Sequence, residues 1–195
     1  MLQTANLSFS YLNSASFHWL ETLLKYNEHL LILGESGIGK TTLLHLLAGI
    51  LTPQKGEIVI NDKTITNLNS KKLDIYRGKN IGLVFQNTTV ISSLSVYENL
   101  EARLYFSKVS SQKKVIDDIL QQLDLTEVKN QKPNTLSTGQ LQRLGIALGV
   151  IHRPKIILAD EPTSSLDDKN CDLVIELLKS QAKKSDANLI IITHD

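Results

Sequence analysis

One segment near the amino terminus constrains the fold more than any other, because it places three glycines between an aliphatic run and a helical pattern. Its residues are Gly34, Glu35, Ser36, Gly37, Ile38, Gly39, Lys40 and Thr41, which match G-x-x-x-x-G-K-[ST]. The run His29–Leu33 before it predicts a strand, and residues 40–50 after it predict a helix. A strand, a tight glycine turn and a helix in this order predict one βα unit of an α/β fold.

The same segment predicts a phosphate site. Its glycines let the backbone turn so that several N–H groups point inward, and the helix beginning near Lys40 adds the positive end of its dipole. We expect the Lys40 ammonium to reach the β- and γ-phosphates and the Thr41 hydroxyl to coordinate Mg²⁺, with Thr42 beside them. The expected ligand is therefore a nucleoside triphosphate.

Two adjacent carboxylates follow a second aliphatic run, Lys155–Ala159. Neighbouring residues on a strand point to opposite faces, so Asp160 and Glu161 need not share one role. We expect Asp160 to hold the Mg²⁺ shell and Glu161 to polarise the attacking water. Together with the glycine-rich segment, these carboxylates predict hydrolysis of the triphosphate.

The rest of the chain alternates between strand and helix patterns. Further strands are predicted at Leu7–Tyr11, Glu57–Ile60, Ile81–Phe85 and Leu189–Thr193. Residues 30–33, 156–159 and 189–192 are almost wholly aliphatic, which is typical of central parallel strands covered on both faces. Helical spacing of apolar residues predicts helices over 113–125 and 168–184. The alternation favours an α/β fold with a mainly parallel sheet.

Two capping boxes, Ser95-x-x-Glu98 and Ser137-x-x-Gln140, predict the starts of two further helices. Residues 87–136 lack strand signals. We therefore expect a mostly helical insertion there rather than a separate domain.

Composition excludes several classes of protein. The chain has 195 residues, and its 21 basic and 20 acidic side chains leave a formal charge of +1. This balance argues against a protein that coats nucleic acid or an anionic membrane. The single cysteine, Cys171, cannot form an internal disulfide, which fits a reducing compartment. No apolar run approaches the ~20 residues that span a bilayer, so we expect one cytoplasmic domain.

Residues 136–143, with the sequence LSTGQLQR, resemble the signature motif of ATP-binding cassette (ABC) ATPases, usually L-S-G-G-Q-x-Q-R. Residues 81–86 resemble the family's Q-loop, residues 160–167 its Walker B strand and D-loop, and residues 193–195 its histidine switch. Tyr11 lies where the family carries an adenine-stacking aromatic residue, with Phe9 and Trp19 as nearby alternatives. The resemblance covers nearly the whole chain, in the family's order.

The resemblance implies a P-loop NTPase with a mainly parallel sheet flanked by helices and an N-terminal antiparallel β portion. It implies one nucleotide-binding domain over residues 1–195, with a helical subdomain at about 87–136. It also implies ATP hydrolysis with Mg²⁺, in which Glu161 acts as the base, His194 contacts the γ-phosphate and Gln86 contacts the metal and the attacking water.

For partners, the resemblance implies a second copy of the chain or a paralogous cassette. In such a head-to-tail dimer two ATP molecules are sandwiched, and Ser137, Gly139 and Gln140 face the nucleotide of the opposite protomer. Asp167 bridges the protomers. The resemblance further implies membrane permease subunits on separate chains and a position at the inner face of the cell membrane. No nucleic-acid partner is expected.

The pattern is most similar to the lipoprotein-release, macrolide-export and bacteriocin-export subfamily, so we expect an exporter. Two alternatives are a non-transport ABC ATPase and a regulatory nucleotide-binding module without turnover. The chain departs from the family pattern at Thr138, where a glycine is usual, and at Leu148, where an arginine is usual. Family members usually continue beyond the histidine switch, whereas this sequence ends at Asp195, so we expect either a truncation or a naturally minimal cassette.

Overall fold

The computed structural model describes residues 1–12, 16–110, 113–163 and 168–194. Its strands are β1 (Leu2–Phe9), β2 (Phe17–His18), β3 (Thr22–Leu24), β4 (His29–Leu33), β5 (Lys55–Ile60), β6 (Lys63–Thr64), β7 (Ile81–Val84), β8 (Ile156–Asp160) and β9 (Asn188–Thr193). Its α-helices are α1 (Lys40–Leu47), α2 (Ser70–Asn80), α3 (Val96–Phe106), α4 (Lys113–Gln122), α5 (Thr138–Val150) and α6 (Asp168–Ser185). Short 3₁₀ turns lie at Ile65–Asn67, Thr126–Val128 and Pro133–Thr135. These elements confirm the predicted mixture of a parallel sheet, an antiparallel sheet and helices.

The parallel sheet has the order β4-β9-β8-β7. Its central strands β8 and β9 are buried at every position, as their aliphatic composition predicts. The same prediction for residues 30–33 was wrong. Among the described residues β4 lies at the sheet edge, where Leu31 is 55% and Leu33 is 58% exposed. An aliphatic run by itself does not distinguish a covered strand from an edge strand.

The antiparallel sheet is built around β1, which pairs with β2, β3 and β5. β1 begins five residues before the predicted strand Leu7–Tyr11, and Tyr11 lies beyond its end. The register of β1 against β5 shifts between Ala5 and Ser8. Gly56 lies opposite this irregularity at φ 92°, and a Cβ there would overlap the carbonyl oxygen of Ala5. This close approach requires glycine.

The helices differ from prediction mainly at their ends. α1 stops at Leu47, short of the predicted residue 50, and Gly49 follows it at φ 65°. Both predicted capping boxes are present, at the starts of α3 and α5. α2 was not predicted, because none of its side chains is buried and the sequence therefore shows no apolar stripe. Within 87–136, the described residues contain α3, α4 and two 3₁₀ turns.

Two apolar clusters cover opposite faces of the parallel sheet, because alternate residues of a strand point to opposite sides. Ile156 and Leu158 of β8 join a cluster with α1 and the antiparallel sheet. Ile157 and Ala159 join a cluster with α3, α4, α5 and α6. β8 is therefore held from both faces, which fixes the position of the carboxylate at its end.

A buried arginine joins α3 to the parallel sheet. The Arg103 side chain donates from Nε to the carbonyl oxygen of Leu148 at 3.1 Å and from Nη2 to that of Ile81 at 3.3 Å. Its Nη2 also lies 3.0 Å from Nε2 of His152. Burial, and then the Arg103 charge, lower the pKa of His152 to about 3, so this imidazole is neutral at physiological pH. The carbonyl oxygen of Leu148 thus takes part in this junction.

Helix α5 packs closely on β7 through two glycines. A Cβ on Gly82 of β7 would overlap the carbonyl oxygen of Gly149 in α5, and a Cβ on Gly149 would lie 2.8 Å from Cγ2 of Val84. Real Cβ atoms do not approach other atoms so closely, so both positions require glycine for this helix-to-sheet distance. The contact ties the helix that begins after Ser137 to the strand that leads to Gln86.

We expect Gly82→Ala to lower the free energy of unfolding by about 1–3 kcal/mol, because α5 must move away from β7. Chemical denaturation measures this difference. Gly139→Ala is the control, since a Cβ there has no atom within 4 Å and the change should stay under about 1 kcal/mol. An unchanged free energy of unfolding in Gly82→Ala would contradict the close contact.

Candidate active site

The glycine-rich turn connects the end of β4 to the start of α1. Gly37 and Gly39 have φ of 86° and 94°, which L side chains rarely adopt. Gly39 is the N-cap of α1 and forms no side-chain cap hydrogen bond. The first N–H groups of α1 therefore have no side-chain acceptor from the cap, which makes this helix start suitable for an anion.

The Lys40 ammonium is held inside this turn. Lys40 is buried at the start of α1, and its Nζ donates to the carbonyl oxygen of Gly34 at 2.5 Å and to that of Glu35 at 2.9 Å. A buried positive charge next to helix N–H groups creates a strongly anion-attracting position. Gly34 must be small, because a Cβ there would overlap the side chain of Ile38.

A hydroxyl and a carboxylate meet next to the turn. Thr41 Oγ1 donates to Asp160 Oδ1 at 3.4 Å, which joins the start of α1 to the end of β8. Asp160 is 8% exposed, and burial raises the pKa of its carboxyl group. The Thr41 hydrogen bond opposes this rise, whereas the neighbouring Glu161 carboxylate adds to it. A cation at this position would stabilise the ionised form of Asp160.

The chemistry of these two groups fits Mg²⁺. Mg²⁺ prefers oxygen ligands and is usually bound by one or two carboxylates plus substrate phosphates rather than by a protein cage. Asp160 and Thr41 therefore match a site that the ligand's phosphates complete.

A second pair lies at the carboxyl ends of β8 and β9. Glu161 follows β8 at φ 48°, and its N–H donates to the carbonyl oxygen of Ile192 at 2.8 Å. Its Oε2 lies 2.7 Å from Nδ1 of His194 and accepts a hydrogen bond from Thr193 Oγ1 at 3.2 Å. The parallel pairing of β8 and β9 brings the two residues together, because the carboxyl ends of parallel strands share one edge.

Lys40, Thr41, Glu161 and His194 line one cavity of about 510 Å³. Asp160 does not line it and reaches it only through its hydrogen bond from Thr41. The residues that line the cavity are Tyr11, Phe17, Ser36, Gly37, Gly39, Lys40, Thr41, Thr42, Gln86, Glu161 and His194. The Tyr11 hydroxyl lies 3.2 Å from Thr42 Oγ1, which holds the tyrosine ring beside the glycine-rich turn. The cavity has a size suited to a small organic ligand, a cationic end at Lys40 and an aromatic end at Tyr11.

The model of the family described as "ABC transporter" matches residues 17–164 of this chain. The chain belongs to the ABC transporter family. The matched region includes the glycine-rich turn, Gln86, the segment that resembles the signature motif and the two carboxylates at the end of β8. The sequence resemblance is thus confirmed, and this protein is an ATP-binding subunit of an ABC transporter with ATPase activity.

Relatives and solved structures agree with this assignment. The cassette is 42% identical over 166 residues to the ABC transporter ATP-binding protein YtrE of Bacillus subtilis, covering 84% of this chain and 72% of that protein. It is 36% identical over 180 residues to the bacitracin export ATP-binding protein BceA of Halalkalibacterium halodurans, covering 90% and 70%. It is also similar to the cassette MJ0796, solved as a dimer in a post-hydrolysis state with ADP and Pi. The TM-score is 0.89 at 31% identity, covering 100% of this chain and 88% of that one.

The cavity unites some of the residues expected from sequence and not others. The signature residues Ser137, Gly139 and Gln140 do not line it, and Gln140 instead caps the backbone N–H of Ser137. Ser137 and Gly139 are exposed to solvent. Asp167 lies outside the described residues. The half-exposed Ile38 forms part of the turn without lining the cavity.

Sequence reasoning missed one lining residue, Phe17. Of the three aromatic residues that the sequence suggested, Tyr11 lines the cavity and Phe9 and Trp19 do not. The signal available in the sequence was the concentration of aromatic residues between positions 9 and 19.

None of the helices in the described part of the chain has the length and apolar composition that a membrane span requires.

We expect Asp160→Asn to raise the melting temperature of the nucleotide-free protein at pH 7 by a few degrees. Burial raises the folded-state pKa of Asp160 above its ordinary 3.8, so ionisation favours the unfolded state and stability falls as pH rises through that range. The increase in melting temperature should disappear below pH 3.8. Thermal melts of both proteins at several pH values measure this difference. The Asp160→Asn protein should also release phosphate from ATP more slowly than the parent.

The exposed Asp172→Asn, on α6, is the matched control and should leave the melting temperature unchanged. An Asp160→Asn protein that melts below the parent at pH 7 would show that the carboxylate is stabilised by its present neighbours.

Proposed function

We propose that this cassette hydrolyses Mg²⁺-bound ATP in the cavity around Lys40 and drives a membrane permease as a head-to-tail dimer. One observation carries the proposal. The anion-attracting turn shares its cavity with Thr41 and with Glu161 and His194. Thr41 forms with Asp160 an oxygen pair suited to Mg²⁺, and Glu161 forms with His194 an acid–imidazole pair suited to water activation. These are the groups that phosphoryl transfer to water requires.

In this proposal the triphosphate lies along the first turn of α1, with Lys40 Nζ and the N–H groups after Gly37 on its β- and γ-oxygens. Thr41 and Asp160 hold Mg²⁺, which offsets negative charge on the phosphates. Glu161 Oε2 accepts a hydrogen bond from the attacking water and aligns it with the γ-phosphorus. The bond from His194 orients this carboxylate, and Gln86 lies beside the reacting groups at the end of β7.

The positions of the signature residues support the proposed dimer. Ser137 and Gly139 are at the exposed start of α5, away from the Lys40 cavity of their own chain. The Ser137 capping box keeps this helix start ordered, and a helix start is suited to an anion. A second copy related by two-fold symmetry would bring each helix start onto the other copy's ATP. Asp167 would bridge the copies, and the solved relative is a dimer.

A groove next to the nucleotide cavity is our proposed permease site. It has a volume of about 440 Å³ and lies between α2, α3, α5 and β7. Phe85 lines the groove, whereas its neighbour Gln86 lines the nucleotide cavity. Phe106 is 69% exposed at the rim. Because adjacent residues line the two cavities, movement of a helix docked in the groove would reach Gln86 through Phe85.

We propose a permease helix as the occupant, which would hold the cassette at the inner face of the cell membrane. The likeness to a protein named for bacitracin export supports export as the direction. A non-transport ATPase would have no membrane partner, and a regulatory module would bind ATP without turnover. Phosphate release distinguishes the cassette from a regulatory module, and co-sedimentation with membranes distinguishes it from a non-transport ATPase.

For the Glu161→Gln variant we expect phosphate release at least about 100-fold slower than in the parent, because the group that aligns the water is lost. Its ATP affinity should remain, and light scattering with ATP should give twice the monomer mass. Glu176→Gln, on the exposed face of α6, is the control. Equal phosphate release by parent and variant contradicts the hydrolytic role, and a persistent monomer contradicts the dimer.

Phe106→Glu should release the cassette from membranes of its native cell, because a charge on the groove rim cannot be buried against an apolar helix. Co-sedimentation with washed membranes measures this, and we expect at least a tenfold loss of bound protein. Leu20→Glu, at another exposed apolar position, is the matched control. A parent protein that does not sediment with membranes would favour a non-transport ATPase.

A further inference from the structure

The aromatic end of the nucleotide cavity is a cluster of four residues, Phe9, Tyr11, Phe17 and Trp19. Phe9 of β1 pairs directly with Phe17 of β2. The rings of Phe9 and Tyr11 meet edge to face with centroids 4.9 Å apart and an interplanar angle of 84°. The rings of Phe17 and Trp19 stack at 5.8 Å and 22°. Two of the four, Tyr11 and Phe17, face the cavity, and the other two support them from behind.

Phe17 contacts the glycine-rich turn itself. A Cβ on Gly39 would lie 2.7 Å from Cδ1 and 3.0 Å from Cε1 of the Phe17 ring. The ring therefore lies on the backbone of the residue that precedes Lys40. No other residue type at position 39 would leave room for it, since Gly39 also has a positive φ of 94°.

The polar groups Lys40, Thr41 and Glu161 line the same cavity as this ring. Lys40, Thr41 and Glu161 define where the phosphates are held, so the nucleoside of a bound nucleotide extends toward Tyr11 and Phe17. Tyr11 is 47% exposed and is anchored through its hydroxyl to Thr42. Phe17 is half-buried and offers a purely apolar face between the tyrosine and the turn.

We propose that Phe17 is a second nucleoside-contacting residue, which packs on the ribose and base beside Tyr11 and links them to the phosphate turn through Gly39. This inference rests on the proposed ATP site. A base–aromatic contact corresponds to roughly fivefold to 150-fold in affinity. Phe17 thus contributes to binding of the nucleoside, whereas Lys40 contributes to binding of the phosphates.

The test compares ligands with and without a nucleoside. We expect Phe17→Leu to weaken binding of ATP and ADP at least about fivefold in isothermal titration calorimetry. Binding of inorganic tripolyphosphate, which lacks a base, should stay within about twofold of the parent. Phe17→Tyr, which keeps the ring, should bind ATP as the parent does. Tyr26→Leu removes an exposed ring outside the cavity and is the matched control.

Thermal melts of each variant show that it is folded. If Phe17→Leu unfolds, Phe17→Met replaces it, because methionine fills similar apolar volume without an aromatic face. Equal losses for ATP and tripolyphosphate would overturn the inference, since the ring would then only support the turn. Unchanged ATP affinity would overturn it as well. A parent that binds tripolyphosphate and ATP equally weakly contradicts the proposed ATP site instead.

Discussion

A carboxylate buried at the end of a fully buried strand is the constraint on which the rest of this molecule depends. Asp160 ends β8, whose alternate side chains are packed into both apolar clusters, so its position cannot relax toward solvent. Burial raises the pKa of this group, which means that the fold holds it where its ionised form is disfavoured. In the proposed ATP site, Mg²⁺ would stabilise the ionised form of this carboxylate, and the triphosphate would place negative charge at the cationic turn.

Packing contacts around β8 connect Asp160 to elements that are distant in the sequence. β7 lies beside β8, and the Gly82–Gly149 approach holds α5 against β7. α5 also donates from the Gln142 side chain to the Pro162 carbonyl oxygen, just after Glu161. α5, β7 and the segment that follows β8 therefore belong to one packed unit. Cores packed this densely transmit small displacements rather than absorbing them.

The sequence predicted best those features that are set by local backbone chemistry. The glycine turn, the paired carboxylates and the two capping boxes each need particular residue types at fixed spacing, so their positions can be read directly. α2 and the edge position of β4 were not predictable in this way. Both depend on which other elements cover a segment. Neither a helix without fully buried residues nor an aliphatic edge strand carries that information in its sequence.

Phe17 was missed for a related reason. Its place in the cavity results from the pairing of β2 with β1 and from the space above Gly39, which are both tertiary contacts. The residue has no motif of its own. From sequence alone, an aromatic residue in a two-residue strand cannot be distinguished from an ordinary packed side chain. The contact between Phe17 and Gly39 makes the distinction.

The structure shows where Thr138, which departs from the family's signature motif, lies in the fold. It is the first residue of α5, it is exposed, and the capping box of Ser137 and Gln140 on either side of it is intact. The extra methyl and hydroxyl groups therefore do not disturb the helix start in their own chain. Because this helix start does not line its own chain's nucleotide cavity, any effect of Thr138 on catalysis would arise across the proposed dimer interface. In the proposed dimer the Thr138 hydroxyl would add a hydrogen-bond donor near the partner's phosphates, at a position where glycine offers none.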